Sequence, residues 1–161
     1  MIGKTWCTVL VFTMVVAGCQ PSEESTNTSP SVVPSAKAEA EVRAAVVNIY
    51  AALSAKDANG IEPYIKSDGY SEFAVTGGLL RLDMEYLRSF LTGEMELQAE
   101  VEDLKVETYG DAAVVTGYRV HSFKMPDGSI DEGTQRLSMV WARLEGHWKV
   151  LHVHLPPSSE G

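Results

Sequence analysis

The 161-residue chain has few cysteines and few basic residues, and each shortage excludes a class of protein. Both cysteines, Cys7 and Cys19, lie near the N-terminus, so the rest of the chain can hold neither a disulfide framework nor a cysteine-ligated metal. Lysine and arginine together number 13 against 22 aspartates and glutamates, which gives a net charge of -9. Such a surface repels phosphate backbones, so no nucleic acid partner is expected.

Beyond the N-terminus the chain also lacks a long apolar run, so no second membrane span is expected. The overall composition of the chain is ordinary for a globular protein, with 45% hydrophobic and 22% charged residues. The length suits one domain with additional segments.

The first 18 residues are typical of a signal peptide. Lys4 precedes an apolar run from Trp6 to Val16 that is too short to span a bilayer. The run ends in Val-Ala-Gly-Cys, which resembles the lipobox of bacterial lipoproteins. The resemblance implies cleavage before Cys19, with diacylglycerol on its sulfur and an acyl chain such as palmitate on its new amino group. The alternative is an ordinary secretory signal in which Cys19 is coincidental.

The residue after Cys19 bears on location. It is Gln20 and not aspartate, which by the family's rules favours the periplasmic side of the outer membrane in a Gram-negative cell. Residues 20–35 are rich in proline, serine, threonine and glutamate and are predicted to form a disordered tether. The predicted organisation is therefore a signal peptide (1–18), a lipidated cysteine with its tether (19–35) and a folded domain (36–157).

Hydrophobic periodicity in that domain predicts helices first and strands afterwards. Val42, Val46, Ile49 and Leu53 fall at helical spacing, and later segments alternate around Asp-Gly and Glu-Gly turns. This order defines an α+β fold, a curved antiparallel sheet with the N-terminal helices packed on one face. The predicted helices cover residues 36–56, 61–65 and 84–91, and the predicted strands cover residues 70–75, 95–108, 112–125, 130–144 and 147–155.

The last two strands form a hairpin from Arg136 to Leu155. Alternation places Leu137, Met139 and Trp141 toward the core, together with Leu151, Val153 and Leu155. The opposite face of the second strand is only half polar, which is typical of a surface that packs on a second subunit. The residues predicted to form this dimer face are Trp148, Val150, His152 and His154.

Several short motifs resemble the SnoaL-like members of the nuclear transport factor 2-like superfamily. They include Ala51-Ala52-Leu53 and the closing pattern from Gly146 to His154, and the resemblance covers about residues 38–155. It implies a cone-shaped fold in which helices plug the concave side of a bent sheet and leave a pocket, with dimers formed through the convex side. The fold carries enzymes, binders and scaffolds, so it implies no single activity.

The resemblance can be tested against known activities of the superfamily. Alignment on Ala51-Ala52-Leu53 puts Ile49 at the position of the steroid isomerases' tyrosine and Phe73 at the position of their catalytic base. In the association domain of calcium/calmodulin-dependent kinase II, arginines line the pocket. Here Arg119 corresponds to one of them, while Met139 and Leu155 stand at the other two positions. The expected pocket is therefore mostly apolar with one cation.

Three side chains are candidates for catalysis. Arg119 could bind a carboxylate, and His121 on the same strand face could act as a base or hydrogen-bond donor. The alternative is a structural ion pair for Arg119 and an exposed His121. Burial of Glu72 would mark it as a general acid or base. The predicted pocket lining is Tyr50, Tyr64, Phe73, Tyr86, Phe90, Arg119, His121, Met139, Trp141 and Val153; the alternative for its aromatic members is an ordinary aromatic core.

His152 and His154 project from one side of a strand and could hold a metal if a third ligand were available. No such ligand lies at an obvious spacing, so neither a metal nor another cofactor is predicted. The functional prediction is a lipid-anchored, extracytoplasmic, homodimeric domain that binds a small apolar or carboxylate-bearing molecule without catalysis. The alternatives are an isomerase, cyclase or dehydratase that uses Arg119, His121 and Glu72, and a dimerising interaction scaffold.

Overall fold

The computed structural model describes residues 35–74 and 77–156. The predicted signal peptide and Cys19 lie outside these residues, as does Val75, the expected end of the first strand. None of the helices in the described ranges is long and apolar enough to cross a membrane. The helices are α1 (Ala36–Ser54), α2 (Ala58–Ile61) and α3 (Met84–Leu91), with one 3-10 turn at Glu62–Tyr64, and the strands are β1 (Tyr70–Phe73), β2 (Leu79–Leu82), β3 (Glu96–Tyr109), β4 (Ala112–Lys124), β5 (Ile130–Leu144) and β6 (His147–His154).

The starts of the two longer helices follow from their caps. Ser35, predicted to end the tether, caps α1 because its side chain accepts a hydrogen bond from Ala38 N at 3.3 Å. Asp83 caps α3 in the same way, with its carboxylate accepting from Tyr86 N at 2.8 Å. β2 was not predicted, because three of its four residues are exposed and the segment shows no apolar alternation.

The six strands form one curved sheet in the order β2-β1-β6-β5-β4-β3. The α+β prediction is confirmed, with one correction to the strand directions. All neighbouring strands are antiparallel except β1 and β6, which run parallel, so the sheet is mixed. The long meander β3–β6 ends with β6 beside β1. Helix α3 lies between β2 and β3 in the sequence.

Helix α1 packs on the concave face and is tied to β3, which is an edge strand. The Ser54 hydroxyl accepts from Ala99 N at 2.8 Å and donates to Ala99 O at 2.9 Å, while Arg43 donates to Leu104 O at 2.8 Å. Further along the sheet, Glu41 of α1 accepts hydrogen bonds from Arg143 and Trp148 of the last hairpin. These contacts hold the helix against the sheet near both of its ends.

A bulge in β6 changes which side chains face the core. Met139 pairs with Val153 and Trp141 with Val150, so two steps along β5 match three along β6. The extra residue turns Val150 and Trp148 inward, and they are only 1% and 7% exposed. The prediction that Trp148 and Val150 share the dimer face with His152 and His154 is therefore wrong.

Candidate functional site

A cavity of about 70 Å³ lies between α1, the 61–65 segment, α3 and the concave face of the sheet. Four polar side chains reach it, from three different elements. Tyr50 comes from the buried stripe of α1, Tyr70 and Glu72 from alternate positions of β1, and Arg119 from the middle of β4. Apolar side chains form the rest of the wall: Ile49, Leu53, Ile61, Ile65, Leu87, Met139, Val150, Val153 and Leu155.

Arg119 is held in place by two neighbours on the same face of the sheet. Its Nη2 donates to Oε1 of Gln135, the residue opposite it on β5, and its guanidinium lies 5.5 Å from the centre of the Phe123 ring. Its Nε is buried and has no hydrogen-bond partner among the described residues. The hydrogen-bond partner is thus a neutral amide. Glu72, which shares the cavity, attracts the guanidinium without forming an ion pair with it among the described residues, so Arg119 can still bind an anionic ligand.

Glu72 faces the same cavity from β1. Its carboxylate accepts a long hydrogen bond from Tyr70 Oη, 3.4 Å away. Burial raises the pKa of Glu72 above its usual 4.5, although Arg119 and the Tyr70 hydroxyl partly oppose this. A carboxyl with a raised pKa inside a cavity is a candidate for proton transfer.

The two tyrosines are hydrogen-bond donors throughout the physiological range. Burial raises the pKa of Tyr50 to about 12, and Arg119 offsets part of that rise. Burial also raises the pKa of Tyr70 well above its usual value, with the neighbouring Glu72 adding to the effect. The cavity therefore presents one cation, two hydroxyl donors and one titratable carboxyl inside an apolar wall.

The structure brings together only part of the predicted site. Tyr50, Arg119, Met139 and Val153 line the cavity with the catalytic candidate Glu72. Six residues predicted for the pocket lining do not line it: Tyr64, Phe73, Tyr86, Phe90, His121 and Trp141.

Each of these six has another environment. Trp141 is fully buried in the core, with Tyr64 packed edge-on at 6.2 Å between ring centres. Tyr86 is largely exposed and stacks on Phe90 at 6.3 Å. Phe73 points to the outer face of the sheet. Aromatic composition alone does not distinguish these environments from a cavity wall.

His121 is on the concave face but beyond the cavity. It is buried, with its ring 4.8 Å from that of Phe123 and Nε2 3.7 Å from a carboxylate oxygen of Asp131. Its Nδ1 has no hydrogen-bond partner within the described part of the chain. Neither prediction for His121 holds, since it is neither exposed nor part of the cavity that contains Arg119.

Besides the apolar wall, two polar residues of the site were missed, although the sequence holds a signal for each. Tyr70 lies two residues before Glu72 on a strand, so both must share a face. Gln135 opposes Arg119, and counting back from the Asp127-Gly128 turn gives that pairing.

The outer face of the sheet carries an exposed apolar patch. Its members, called here the outer patch, are 37–62% exposed and lie on four of the six strands: Phe73, Leu79, Val114, Tyr118 and Val140. His152 and His154 lie among them on β6. In the described residues of one copy, no group of three histidine, cysteine or acidic side chains is placed to hold a metal.

A curved sheet plugged by helices is the architecture of nuclear transport factor 2-like proteins. A superfamily member from Salmonella enterica serovar Typhimurium superposes with a TM-score of 0.66 at 20% identity, over 78% of this chain and 94% of that one. The association domain of Caenorhabditis elegans CaMKII gives 0.58 at 23%, over 74% and 95%. A dehydratase candidate from Streptomyces avermitilis gives 0.64 at 16%, over 74% and 95%.

In sequence, residues 42–157 match the SnoaL-like domain. The chain therefore belongs to the SnoaL-like domain family. No curated protein matches the chain in sequence. At these identities the structural likeness establishes the fold and leaves the activity to be argued from the site.

Proposed function

We propose that this chain is a non-catalytic binder of small carboxylate-bearing molecules. The observation that carries the proposal is the position of Arg119 in an apolar cavity, with a neutral amide as its hydrogen-bond partner and a buried Nε that has no partner among the described residues. A guanidinium pairs with a carboxylate through two parallel hydrogen bonds, and this pairing is strongest away from water.

The size of the cavity limits the ligand. Pockets for drug-sized molecules span about 300–1,000 Å³, whereas this cavity measures about 70 Å³. A space of this size holds a carboxylate with one methyl group, such as acetate. The apolar wall then accepts the alkyl part, and Tyr50 or Tyr70 donates a further hydrogen bond to the head.

The test is calorimetric titration of the full chain, purified in detergent, with acetate. Loss of charge-assisted hydrogen bonds worth about 1.5–3 kcal/mol should weaken binding roughly 10- to 100-fold in Arg119→Met. Arg136→Met is the matched control, because Arg136 is exposed on the outer face of the neighbouring strand. Equal affinities for the two variants would contradict the proposal.

The enzyme alternative is supported by the raised pKa of Glu72 beside two tyrosine hydroxyls. In the enzyme alternative, Glu72 removes a proton next to the ligand's carbonyl, as an isomerase, cyclase or dehydratase requires. A tyrosine hydroxyl stabilises the developing oxyanion. His121 has no part in it, since it lies outside the cavity.

Deuterium exchange separates the enzyme from the binder. With pyruvate in D2O, an enzyme of this kind should accelerate exchange next to the carbonyl, and Glu72→Gln should abolish the acceleration. A binder should leave the exchange rate unchanged in both forms.

We further propose that the chain is anchored by lipid on Cys19 on the extracytoplasmic side of a bacterial membrane. The lipobox-like sequence from Val16 to Cys19 after a short apolar run supports this. Cys19→Ser should move the protein from the membrane fraction to the soluble fraction. Retention in the membrane fraction would show that lipid on this residue is not the anchor.

The outer patch supports a further proposal, that the chain forms a homodimer. It replaces the predicted face, because Trp148 and Val150 are buried. The strands that carry the patch lie side by side with β6 in the order β2-β1-β6-β5-β4, so its apolar side chains share one surface, which is typical of an association site. The same patch supports the alternative of an interaction scaffold. Analytical ultracentrifugation of Tyr118→Glu, with Tyr86→Glu on α3 as the exposed control away from the sheet's outer face, tests whether the patch mediates association.

A further inference from the structure

We propose that His152 and His154 from two copies of this chain form a site for a divalent transition-metal ion. The inference rests on the homodimer proposed above and adds a ligand to it. One copy supplies half of the site, and the second copy completes it.

The two histidines form a suitable half-site. They are two residues apart on β6 and project from the same outer face, so their Cα atoms are about 7 Å apart. His154 is exposed and His152 is half-buried, so both imidazoles can reach a ligand on this face. The Phe73 ring packs edge-on against both, at 5.6 and 5.8 Å between centres, and limits their rotation.

Ser71 prepares His152 for metal binding. Its hydroxyl donates to the carbonyl oxygen of Leu151 at 3.4 Å and lies 2.9 Å from Nδ1 of His152. With its proton directed to that carbonyl, the hydroxyl oxygen accepts the hydrogen of Nδ1, which leaves the Nε2 lone pair free. Metal-binding histidines almost always donate their other ring nitrogen to such a second partner.

The outer patch determines what faces this half-site. Phe73 and Leu79 lie on one side of β6, and Val140 and Val114 lie on the other, so the patch is centred on β6. In a two-fold symmetric interface, residues near the axis meet their own counterparts. An interface centred on the patch therefore brings four imidazoles together. Four nitrogen ligands suit Zn²⁺, Ni²⁺ or Cu²⁺, and zinc is bound tetrahedrally.

The experiment uses the full chain in detergent, stripped of metal with a chelator and then titrated with ZnCl2. Native mass spectrometry should show one zinc per two chains and a larger dimer fraction. His152→Ala and His154→Ala should each lose the zinc. His147→Ala should keep it, because His147 is an exposed histidine at the other end of β6. Ser71→Ala should weaken zinc binding roughly 10- to 100-fold without abolishing it.

The outcomes separate this inference from the dimer itself. A dimer that binds no zinc, or binds it equally well after both histidine substitutions, overturns the metal site and leaves the dimer in place. One zinc per chain also overturns the site. A chain that stays monomeric with and without zinc overturns both proposals. His152→Asn, which conserves polarity but is a poor zinc ligand, should behave as His152→Ala if the loss reflects ligation and not misfolding.

Discussion

Because of the bulge in β6, the same substitution should have different effects on stability at two valines on neighbouring strands. Val150 is 1% exposed in the core, whereas Val140 is 37% exposed on the outer face. Unbroken alternation along β6 would place Val150 outside with His152 and His154. The same substitution at the two positions therefore reports directly on the strand's register.

The expected magnitudes follow from the atoms removed. Val150→Ala deletes two buried carbons at about 0.8 kcal/mol each, and the cavity left behind adds about 1 kcal/mol. The free energy of unfolding should fall by about 2–3 kcal/mol, which lowers Tm by roughly 10 °C in a domain of this size. Val140→Ala should cost less than about 0.5–1 kcal/mol, since the side chain stays partly in water.

Urea unfolding followed by tryptophan fluorescence measures both values. The measurement is repeated after tenfold dilution, so that any loss of association through Val140 is separated from loss of fold stability. Similar costs below 1 kcal/mol at both positions would refute the inward position of Val150 and, with it, the bulge.

Three further predictions concern other parts of the fold. Gly117→Ala should destabilise the domain by about 1–3 kcal/mol, because a Cβ there would lie 2.8 Å from the carbonyl oxygen of Glu102. Gly133→Ala is the control and should cost little in the same urea experiment, because the nearest contact of its Cβ would be 3.7 Å away. Folding raises the pKa of Glu72, so the native state holds its proton to higher pH than the unfolded state does. The free energy of unfolding should therefore fall as pH rises from 4.5 through the folded pKa. Glu72→Gln should flatten that decline, and an unchanged pH profile in the variant would count against burial of the carboxyl. Ser54→Ala should cost about 1–2 kcal/mol by leaving a backbone amide of β3 unpaired, and hydrogen exchange at that amide should rise.

The fold was predictable because its signals are local. Asp-Gly and Glu-Gly turns between alternating runs fix the hairpins of the meander, and Asp83 marks the start of α3. The prediction of one continuous alternation along β6 failed because a bulge adds a residue without any change in composition. β2 was missed for a related reason, since an edge strand with exposed leucines shows no buried face.

The cavity was harder to predict than the fold. Strand parity correctly gives the face of Glu72 and Arg119 but not how deep each side chain lies. Trp141 fills the core where a pocket wall was expected, and His121 is placed beyond the cavity by only two more residues of the same strand. These distinctions depend on how α1 and α3 pack across the sheet, and that packing is not a local property of the sequence.

The hydrogen bonds from Ser54 and Arg43 to β3 have a consequence for self-association. A free edge strand offers its backbone groups to any passing strand, which is how sheets of separate molecules fuse into polymers. Here α1 occupies several of those groups along the longer margin of the sheet, next to a bulge where Asp103 adopts a left-handed conformation (φ 50°). A second strand therefore finds fewer free backbone groups along that margin than along an uncovered edge, which disfavours edge-to-edge growth there.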